Sequence, residues 1–540
     1  MSDILAPASH SNQLSRRVLL GGLAGAAAVG TTAFAGSPAG SANLLSSQAP
    51  VRDPFTLGVA SGDPEPDGFV LWTRLAPEPI RGGGMPQRAV PVQWQVATDR
   101  RFRRVMAQGT EIARPGLAHS VHVEVEGLRP ASEYFYRFRV GREISPIGRA
   151  RTAPEYGSRL DDLSFAFASC QTYAGGYFSA HEHMAKEDLD LVVHLGDYIY
   201  EGPPRPYLIR LHEGDGEPMT LTDYRNRHAQ YKTDPQLQRA HAACPWIVVF
   251  DDHELDNDWA AAIPQDPEIQ TRKQFAARRA AALQAYYEHM PLRRSALPAG
   301  GSLQAYRSFT YGDLATFHVL DTRQYRSDQI AECSVAEREE TGYCGGALVP
   351  GRSILGDDQE RWLLDGLTIS TTRWNVLANQ VAFTQRDKDE TPGAKQRTFN
   401  LDGWDGYVAD RQTLLDHVRE QKIRNMVTIT GDSHRNSVLN TPANYRDWEA
   451  DTTPVATEFM VTSTTSGGER RLNRHYRPEP DNNPHLLYGD ESHGYARVRL
   501  TADEWRTDYR AVSTVAKPEA TISTVSSWVV DPDEPGARRA

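Results

Sequence analysis

The stretch LVVHLGDYIY at residues 191–200 contains a short apolar run that ends on Gly196 and Asp197. A continuous apolar run bounded by turn residues predicts a buried strand of an α/β sheet that is covered on both faces. Gly196 lets the chain turn after the strand and leaves the Asp197 carboxylate pointing off the sheet. A lone Gly-Asp pair favours a simple turn, but Tyr200 follows three positions later and adds a second potential metal ligand.

Three other apolar runs stop on potential metal ligands in the same way. They are SFAFAS before Cys170, WIVVF before Asp251, Asp252 and His253, and MVTITG before Asp432 and His434. Ligands of α/β sheets bind beyond the carboxyl ends of the strands, so we expect these side chains to meet at one edge. Thiolate, phenolate and imidazole suit a transition metal, whereas carboxylates suit hard cations such as Ca²⁺. The pattern predicts a hydrolytic centre with more than one kind of metal, although a solvated loop is the alternative for the acidic stretch after WIVVF.

Length and charge limit the possible functions. A chain of 540 residues is too long for one ordinary core, so we expect two or more domains. The formal net charge is −11 and no tract is rich in Lys and Arg, which argues against a surface for nucleic acid. The mean hydropathy is −0.55, and outside the N-terminal region no apolar run approaches the ~20 residues of a membrane span. The mature form is therefore expected to lack a stable membrane span.

Residues 1–35 have the pattern of a twin-arginine signal peptide. Arg16 and Arg17 precede a weakly apolar run, GGLAGAAAVG, and the small-residue site Ala33-Phe34-Ala35 follows it. The alternative is a single membrane anchor, but a run so rich in Gly and Ala is a poor span. We therefore expect the twin-arginine export machinery as a partner and a periplasmic or extracellular location. That route carries folded proteins, which suits a protein that must load its metal before export.

The rest of the chain divides by composition. Residues 36–50 are rich in Ser, Gly, Ala and Pro and are predicted to be a linker. Residues 51–155 alternate in short runs with a period of two, which predicts an antiparallel sandwich of the fibronectin type III or immunoglobulin kind. Strands and helical segments alternate over residues 160–515, which predicts an α/β domain, and residues 516–540 are expected to be a C-terminal tail. We expect a monomer.

The four cysteines differ in context. Cys333 and Cys344 lie in a polar, turn-rich stretch, and an exported protein can oxidise such a pair to a disulfide. Cys244 precedes a proline and an apolar run, which favours a buried, inert thiol. Cys170 allows the same interpretation, but its place at a strand end favours a metal ligand.

The motifs together resemble those of a known family. Cys170, Gly-Asp-x-x-Tyr at 196–200, Asp-Asp-His-Glu at 251–254 and Gly-Asp-Ser-His at 431–434 occur in this order. This order resembles the PhoD family of alkaline phosphatases and phosphodiesterases, relatives of the purple acid phosphatases among the calcineurin-like metallophosphoesterases. FTLGVASGDPEPDGFVLWTRLAP at 55–77 is similar to the family's N-terminal domain, and LDTRQYR at 320–326 is similar to another of its segments.

The resemblance implies a fold and a metal set. The implied fold is an α/β metallophosphoesterase, with two mixed sheets packed as a sandwich and flanking helices, preceded by a small fibronectin type III-like sandwich. The implied metals are one Fe³⁺ and two Ca²⁺. By this pattern the iron ligands are Cys170, Asp197, Tyr200 and His434, with Asp197 bridging, and the remaining metal ligands are Asp252, Asn379 and Asp432. Asp252, Asn379 and Asp432 stand where the purple phosphatases use Asn or His, and each exchange moves the site toward Ca²⁺.

The resemblance also implies an activity. We expect an exported phosphoesterase that hydrolyses small or polymeric phosphate mono- and diesters by a metal-activated hydroxide. His253 and Asp252 are the candidate catalytic residues, and His253, Arg435 and Arg323 are the candidate contacts to the substrate phosphate. The first alternative is a phospholipase D-like phosphodiesterase. The second is a secreted binding protein whose α/β half is catalytically inert.

Overall fold

The computed structural model describes residues 53–205, 208–330, 344–388, 398–443, 453–469 and 482–540. These residues all belong to one compact unit, Val51–Ala540. The predicted signal peptide at 1–35 and linker at 36–50 lie outside the described residues. No described helix has both the length and the apolar character that a membrane span requires.

The N-terminal part is all-β, as its alternating pattern predicted. Its strands are β1 Val59–Glu65, β2 Gly68–Arg74, β3 Val90–Ala97, β4 Val105–Ala113, β5 Ser120–Val125, β6 Glu133–Val140, β7 Glu143–Ile144 and β8 Gly148–Arg151. β1, β2 and β5 form one layer, and β4, β3, β6, β7 and β8 form the other. Phe69, Val92 and Tyr134 are among the buried side chains of their common core.

One layer of this sandwich continues into a larger sheet. Gly62 of β1 pairs in parallel with Trp246 of β11, which spans Trp246–Val248. A Cβ atom on residue 62 would lie 2.7 Å from the backbone oxygen of Trp246, so glycine permits this close approach. The boundary predicted near residue 155 therefore separates two cores but not two sheets.

The larger sheet has ten strands in the order β22-β21-β20-β19-β9-β10-β11-β1-β2-β5. Its remaining strands are β9 Asp162–Ala168, β10 Leu191–His194, β19 Gly494–Thr501, β20 Trp505–Val512, β21 Ile522–Asp531 and β22 Glu534–Arg539. β9, β10 and β11 are parallel neighbours. The expectation of a tail at 516–540 is wrong, because β21 pairs along β20 and buries Trp528 and Val530 against the core.

A second mixed sheet has seven strands in the order β12-β13-β14-β15-β17-β16-β18. They are β12 Arg307–Tyr311, β13 Ala315–Val319, β14 Trp374–Asn379, β15 Met426–Thr430, β16 Asn436–Pro442, β17 Pro454–Met460 and β18 Leu486–Asp490. β13, β14, β15 and β17 are parallel. Their carboxyl ends therefore lie on one edge of this sheet.

The two mixed sheets share one apolar core. Trp505 of the ten-stranded sheet packs on Phe459 and Trp374 of the other, with ring centroids 6.1 Å and 5.9 Å apart. Phe165 lies 5.2 Å from Phe317 across the same boundary, in an edge-to-face contact. Aromatic rings of this size bury much apolar area, so this contact is a main source of the fold's stability.

Six α-helices in the described residues connect the strands. They are α1 Ser179–Met184, α2 Leu221–Lys232, α3 Pro235–Ala243, α4 Arg272–His289, α5 Asp357–Ile369 and α6 Val408–Glu420. Short 3-10 turns lie at Pro115–Leu117, Tyr173–Gly175, Arg294–Ala296, Gly345–Leu348 and Trp404–Gly406. At the start of α4, Thr271 and Gln274 form a capping box, each side chain accepting the other's backbone N–H. All six helices lie within residues 160–515, where the sequence predicts strands alternating with helical segments.

Two predictions concern cysteines outside the candidate metal site, namely Cys244 and the pair Cys333 and Cys344. Cys244 is buried, and burial raises the pKa of its thiol to about 12, as an inert core thiol requires. Cys344 is buried too, but the predicted Cys333–Cys344 pair cannot be described, since Cys333 lies outside the described residues.

Candidate metal centre

The predicted ligands lie where the carboxyl ends of the two mixed sheets meet. Cys170 follows β9, Asp197 follows β10, and Asp432 and His434 follow β15 of the other sheet. A parallel bridge between Ser169 and Ser463 joins the two edges directly. The strand-end arrangement predicted from the apolar runs is therefore present in the structure.

Four of these residues have a left-handed backbone. The φ angles are 58° at Cys170, 57° at Asp197, 56° at Asp432 and 56° at His434. Residues other than glycine rarely adopt this conformation, which costs about 1–3 kcal/mol each and is concentrated at functional sites. The surrounding structure therefore holds all four side chains in directions that a relaxed turn would not give them.

Cys170, Asp197 and His434 form the first candidate ligand group, with potential ligand atoms within 4.8 Å of one another. The Tyr200 hydroxyl donates to Asp197 Oδ2 at 2.8 Å and lies 3.0 Å from His434 Nε2. Asp197 Oδ1 is buried and has no hydrogen-bond partner among the described residues. A buried carboxylate oxygen without a donor fits a cation, and the thiol, phenol and imidazole beside it fit a transition metal.

Two more groups extend the site. Asp197, Asp252 and His253 form the second, and Asp252, Asp258 and Asp402 form the third, again with ligand atoms within 4.8 Å. Asp197 and Asp252 each belong to two groups. Such sharing is the arrangement expected when carboxylates bridge neighbouring cations.

Two carboxyl groups of the site, those of Asp197 and Asp432, have raised pKa values. Burial raises the pKa of Asp197 well above its ordinary value, and the Asp252 and Asp251 carboxylates raise it further. Burial, followed by Asp251 and Asp402, does the same for Asp432. Crowded carboxylates need nearby positive charge to ionise together. The donor set therefore fits bound cations.

His253 lies beside the first group. Its Nδ1 is 2.7 Å from Glu201 Oε2, and its ring centroid is 4.0 Å from that of Tyr200. Burial alone would lower the pKa of His253, but the Glu201, Asp252 and Asp197 carboxylates outweigh it and raise the pKa well above the ordinary value. Glu201 thus fixes the ring through Nδ1, and this contact does not use Nε2.

The substrate-binding role expected for Arg323 does not fit its position. Arg323 is fully buried, its Nε donates to Asp251 Oδ1 at 2.6 Å, and both terminal nitrogens donate to Asp402, at 2.8 Å and 2.7 Å. All three nitrogens of this guanidinium bind carboxylates, and none of the side chain is exposed to contact a phosphate. Arg323 and Arg326 also hold the pKa of Asp402 well below its ordinary value, against the raising effect of burial.

Asn379 was predicted as a metal ligand and Arg435 as a substrate contact, and both bind other protein groups in the structure. Asn379 ends β14, and its side chain accepts from Trp404 Nε1 at 3.2 Å and donates to the Val381 carbonyl. Both the oxygen and the NH₂ group of the Asn379 amide therefore already bind other protein groups. Arg435 adjoins His434, donates to Glu491 Oε1 at 2.9 Å and has a side chain that is 27% exposed, so it stays a candidate for substrate contact.

The sequence interpretation missed Asp258, Asp402, Glu201 and Glu254 as parts of this site. Asp258 and Glu254 lie in the acidic stretch after WIVVF, so the density of carboxylates there was the available signal. Glu201 directly follows Tyr200, so its place next to a predicted ligand was the available signal. Asp402 lies in NLDGWDG, which follows no apolar run, and no strand-end pattern indicates it.

Comparisons with known proteins agree with this arrangement. A family model described as PhoD-like phosphatase matches residues 165–509, and the model of that family's N-terminal domain matches residues 39–154. Alkaline phosphatase D of Bacillus subtilis (strain 168) is 47% identical over 496 residues, which cover 90% of this chain and 82% of that protein. A solved structure of PhoD is 45% identical and covers 92% of this chain and 93% of its own, with a TM-score of 0.84. The resemblance found in the motifs is confirmed, and the chain belongs to the PhoD-like phosphatase family of phosphoester hydrolases.

Proposed function

We propose that the protein is an exported, metal-dependent phosphoesterase that hydrolyses phosphate mono- and diesters with iron and calcium. The observation that carries this proposal is the convergence of Cys170, Asp197, Tyr200 and His434 beside a set of shared carboxylates. The relative named alkaline phosphatase D supports the reaction class. We also infer that the two mixed sheets, which share one core, are the layers of the metallophosphoesterase sandwich.

The ligand chemistry suggests how the metals divide. Cys170, Asp197, Tyr200 and His434 would hold Fe³⁺, because thiolate, phenolate and imidazole favour a transition metal. Calcium would be held by the oxygen donors of the other groups, which are Asp197, Asp252, Asp258 and Asp402. When bound, such cations acidify water and attract the phosphate oxygens.

The protein's own residues supply orientation and a proton. Glu201 holds His253 through Nδ1, so that Nε2 of the ring is directed by a fixed partner and not by solvent. A proton at His253 Nε2 would pass to the oxygen of the leaving alcohol, or the N–H would bind a phosphate oxygen. Tyr200 packs against the same ring and limits its rotation.

Calcium removal tests the proposed activity. The purified protein is expected to cleave p-nitrophenyl phosphate or its bis ester at alkaline pH, to contain iron and calcium by mass spectrometry, and to lose most activity after thorough chelation of Ca²⁺. Readdition of Ca²⁺ alone is the control, and it should restore the rate. Unchanged activity in calcium-free protein would contradict the proposal. Choline release from phosphatidylcholine without free phosphate would favour the phospholipase D-like alternative.

We also propose export by the twin-arginine route, on the basis of Arg16, Arg17 and the small-residue site at 33–35. The protein recovered outside the cytoplasm is expected to begin after Ala35, as N-terminal sequencing would show. Substitution of both arginines by lysine should leave the chain in the cytoplasm with its N-terminal segment uncleaved. Normal export of that variant would contradict the proposed twin-arginine route.

A further inference from the structure

Glu254 is a buried carboxylate that joins two ligand-bearing loops. It is 2% exposed. Its Oε1 accepts from the backbone N–H of Tyr198 at 2.6 Å, and its Oε2 accepts from those of Asp197 at 3.1 Å and Asp251 at 2.9 Å. The first two N–H groups follow β10 and the third follows β11, so one side chain connects the ends of two parallel strands.

These N–H groups need a partner that the sheet does not supply. After β10 the chain turns at Gly196, with φ of 106°, and at Asp197, with φ of 57°, and the parallel ladder between β10 and β11 ends before these residues. A buried backbone N–H without an acceptor is destabilising, and a carboxylate can accept several such bonds at once. Glu254 therefore replaces the ladder at the position where the strands separate.

We propose that Glu254 is a positioning residue that fixes the distance between the loop carrying Asp197 and the loop carrying Asp252 and His253. Glu254 is not a member of any candidate ligand group among the described residues. Its effect would pass through the two backbones that it binds. A metal site needs its ligands held to within about 0.5 Å of the productive geometry, so a small shift of either loop would weaken a cation site shared by Asp197 and Asp252.

The carboxylate has a chemical role that glutamine cannot fill. Both oxygens of Glu254 act as acceptors, whereas a glutamine amide offers one acceptor oxygen and one NH₂ donor. In Glu254→Gln, the NH₂ group would face at least one backbone N–H of the two loops. We expect that loop to move away, so that Asp197 and Asp252 no longer hold a cation together.

Glu458 provides a matched control. It is also fully buried, and it accepts from the backbone N–H groups of Phe383 at 3.0 Å and Thr384 at 2.7 Å. Neither of these residues is a candidate ligand. Glu458→Gln therefore makes the same chemical change at a similarly buried place, where the two backbone donors belong to residues that are not candidate ligands.

The test compares metal content, melting temperature and steady-state kinetics of the purified holoenzymes, with p-nitrophenyl phosphate as substrate. Glu254→Gln is expected to retain about tenfold less metal after gel filtration and to lose about 10- to 100-fold in kcat, with KM nearly unchanged. Glu458→Gln is expected to lower the melting temperature only. The proposal is overturned if Glu254→Gln keeps its metal and its kcat and differs only in melting temperature.

Two further comparisons keep the test decisive. If Glu254→Gln does not fold, Glu254→Asp retains the carboxylate on a shorter side chain, and it should release metal to a chelator faster than Glu458→Asp; equal release rates would overturn the proposal. The inference rests on the proposed metal-dependent function. A wild-type protein that binds metal but cleaves no phosphate ester would sink that function, whereas the comparison of metal retention would still decide the role of Glu254.

Discussion

Replacement of Asp197 by asparagine is expected to reduce kcat about a thousandfold, which equals ~4 kcal/mol at about 1.36 kcal/mol for each factor of ten. Asp197 belongs to two of the three candidate ligand groups, and its Oδ1 has no protein donor among the described residues. Asparagine keeps the size of the side chain but removes its charge and one acceptor oxygen. The loss should appear as bound metal as well as rate, since two groups are weakened by one substitution.

Asp190 is the matched control for this substitution. It lies at the other end of β10, where its Oδ2 accepts from Ser164 N at 2.8 Å and Oδ1 pairs with Arg151. Asp190→Asn removes a carboxylate of the same strand, so we expect a lower melting temperature but unchanged metal content and kcat. Kinetics with p-nitrophenyl phosphate and mass spectrometry of bound metal measure both variants. A fully active Asp197→Asn would show that Asp197 is not a shared metal ligand.

Much of the candidate site was predictable because the candidate ligands follow strands. Apolar runs that end on Cys170, Asp197 and His434 placed these residues at strand ends, and parallel strands bring their carboxyl ends to one edge. The structure brings their ligand atoms within 4.8 Å, although more than 200 residues of chain separate Asp197 from His434. For residues that follow a strand directly, an apolar run in the sequence is enough to predict their place at the sheet edge.

The roles of Arg323 and Asp402 were not predictable in the same way. An arginine in a loop is usually exposed, and nothing near Arg323 in the sequence indicates that it is fully buried between Asp251 and Asp402. Asp402 reaches the site because Arg323 and Arg326 hold it there, and such a contact depends on three distant segments packing together. Partners of this kind follow from tertiary packing and not from a local pattern.

The C-terminal residues show a signal that was present but not used. ISTVSSWVV at 522–530 is rich in β-branched residues and is followed by a short turn and a second extended run. The structure has β21 and β22 at this place, paired with each other and, through β21, with β20. β22 lies at the edge of its sheet and carries charged residues, as edge strands commonly do.

Acid is expected to unfold this protein steeply below about pH 6.5, because several histidines are buried in neutral form. Five of them lie on β10, α1, α2, α3 and α4 and are no more than 2% exposed; they are His181, His194, His228, His241 and His289. Burial lowers the pKa of His181 to about 3. It also lowers the pKa of the other four well below the ordinary value, and the nearby Lys232 lowers each of these further.

The sign follows from proton uptake. In the unfolded chain these imidazoles take up protons near pH 6.5, but in the folded protein they stay neutral to much lower pH, so unfolding binds protons. The stability is therefore complete above pH 6.5 and is lost as the pH falls below it. At pH 5.5 each histidine reduces the free energy of unfolding by about 1.4 kcal/mol, and five together by about 7 kcal/mol, which is comparable to the whole stability of many domains.

His228 is the position where this can be tested most directly. Neither of its ring nitrogens has a hydrogen-bond partner among the described residues, and it stacks on His289 with ring centroids 5.0 Å apart. His228→Phe keeps the stacked ring but cannot take up a proton, so the loss of unfolding free energy between pH 7.5 and 5.5 should become smaller by about 1.4 kcal/mol. Urea unfolding at both pH values measures it, and equal losses in wild type and His228→Phe would show that buried neutral histidines do not set the acid limit.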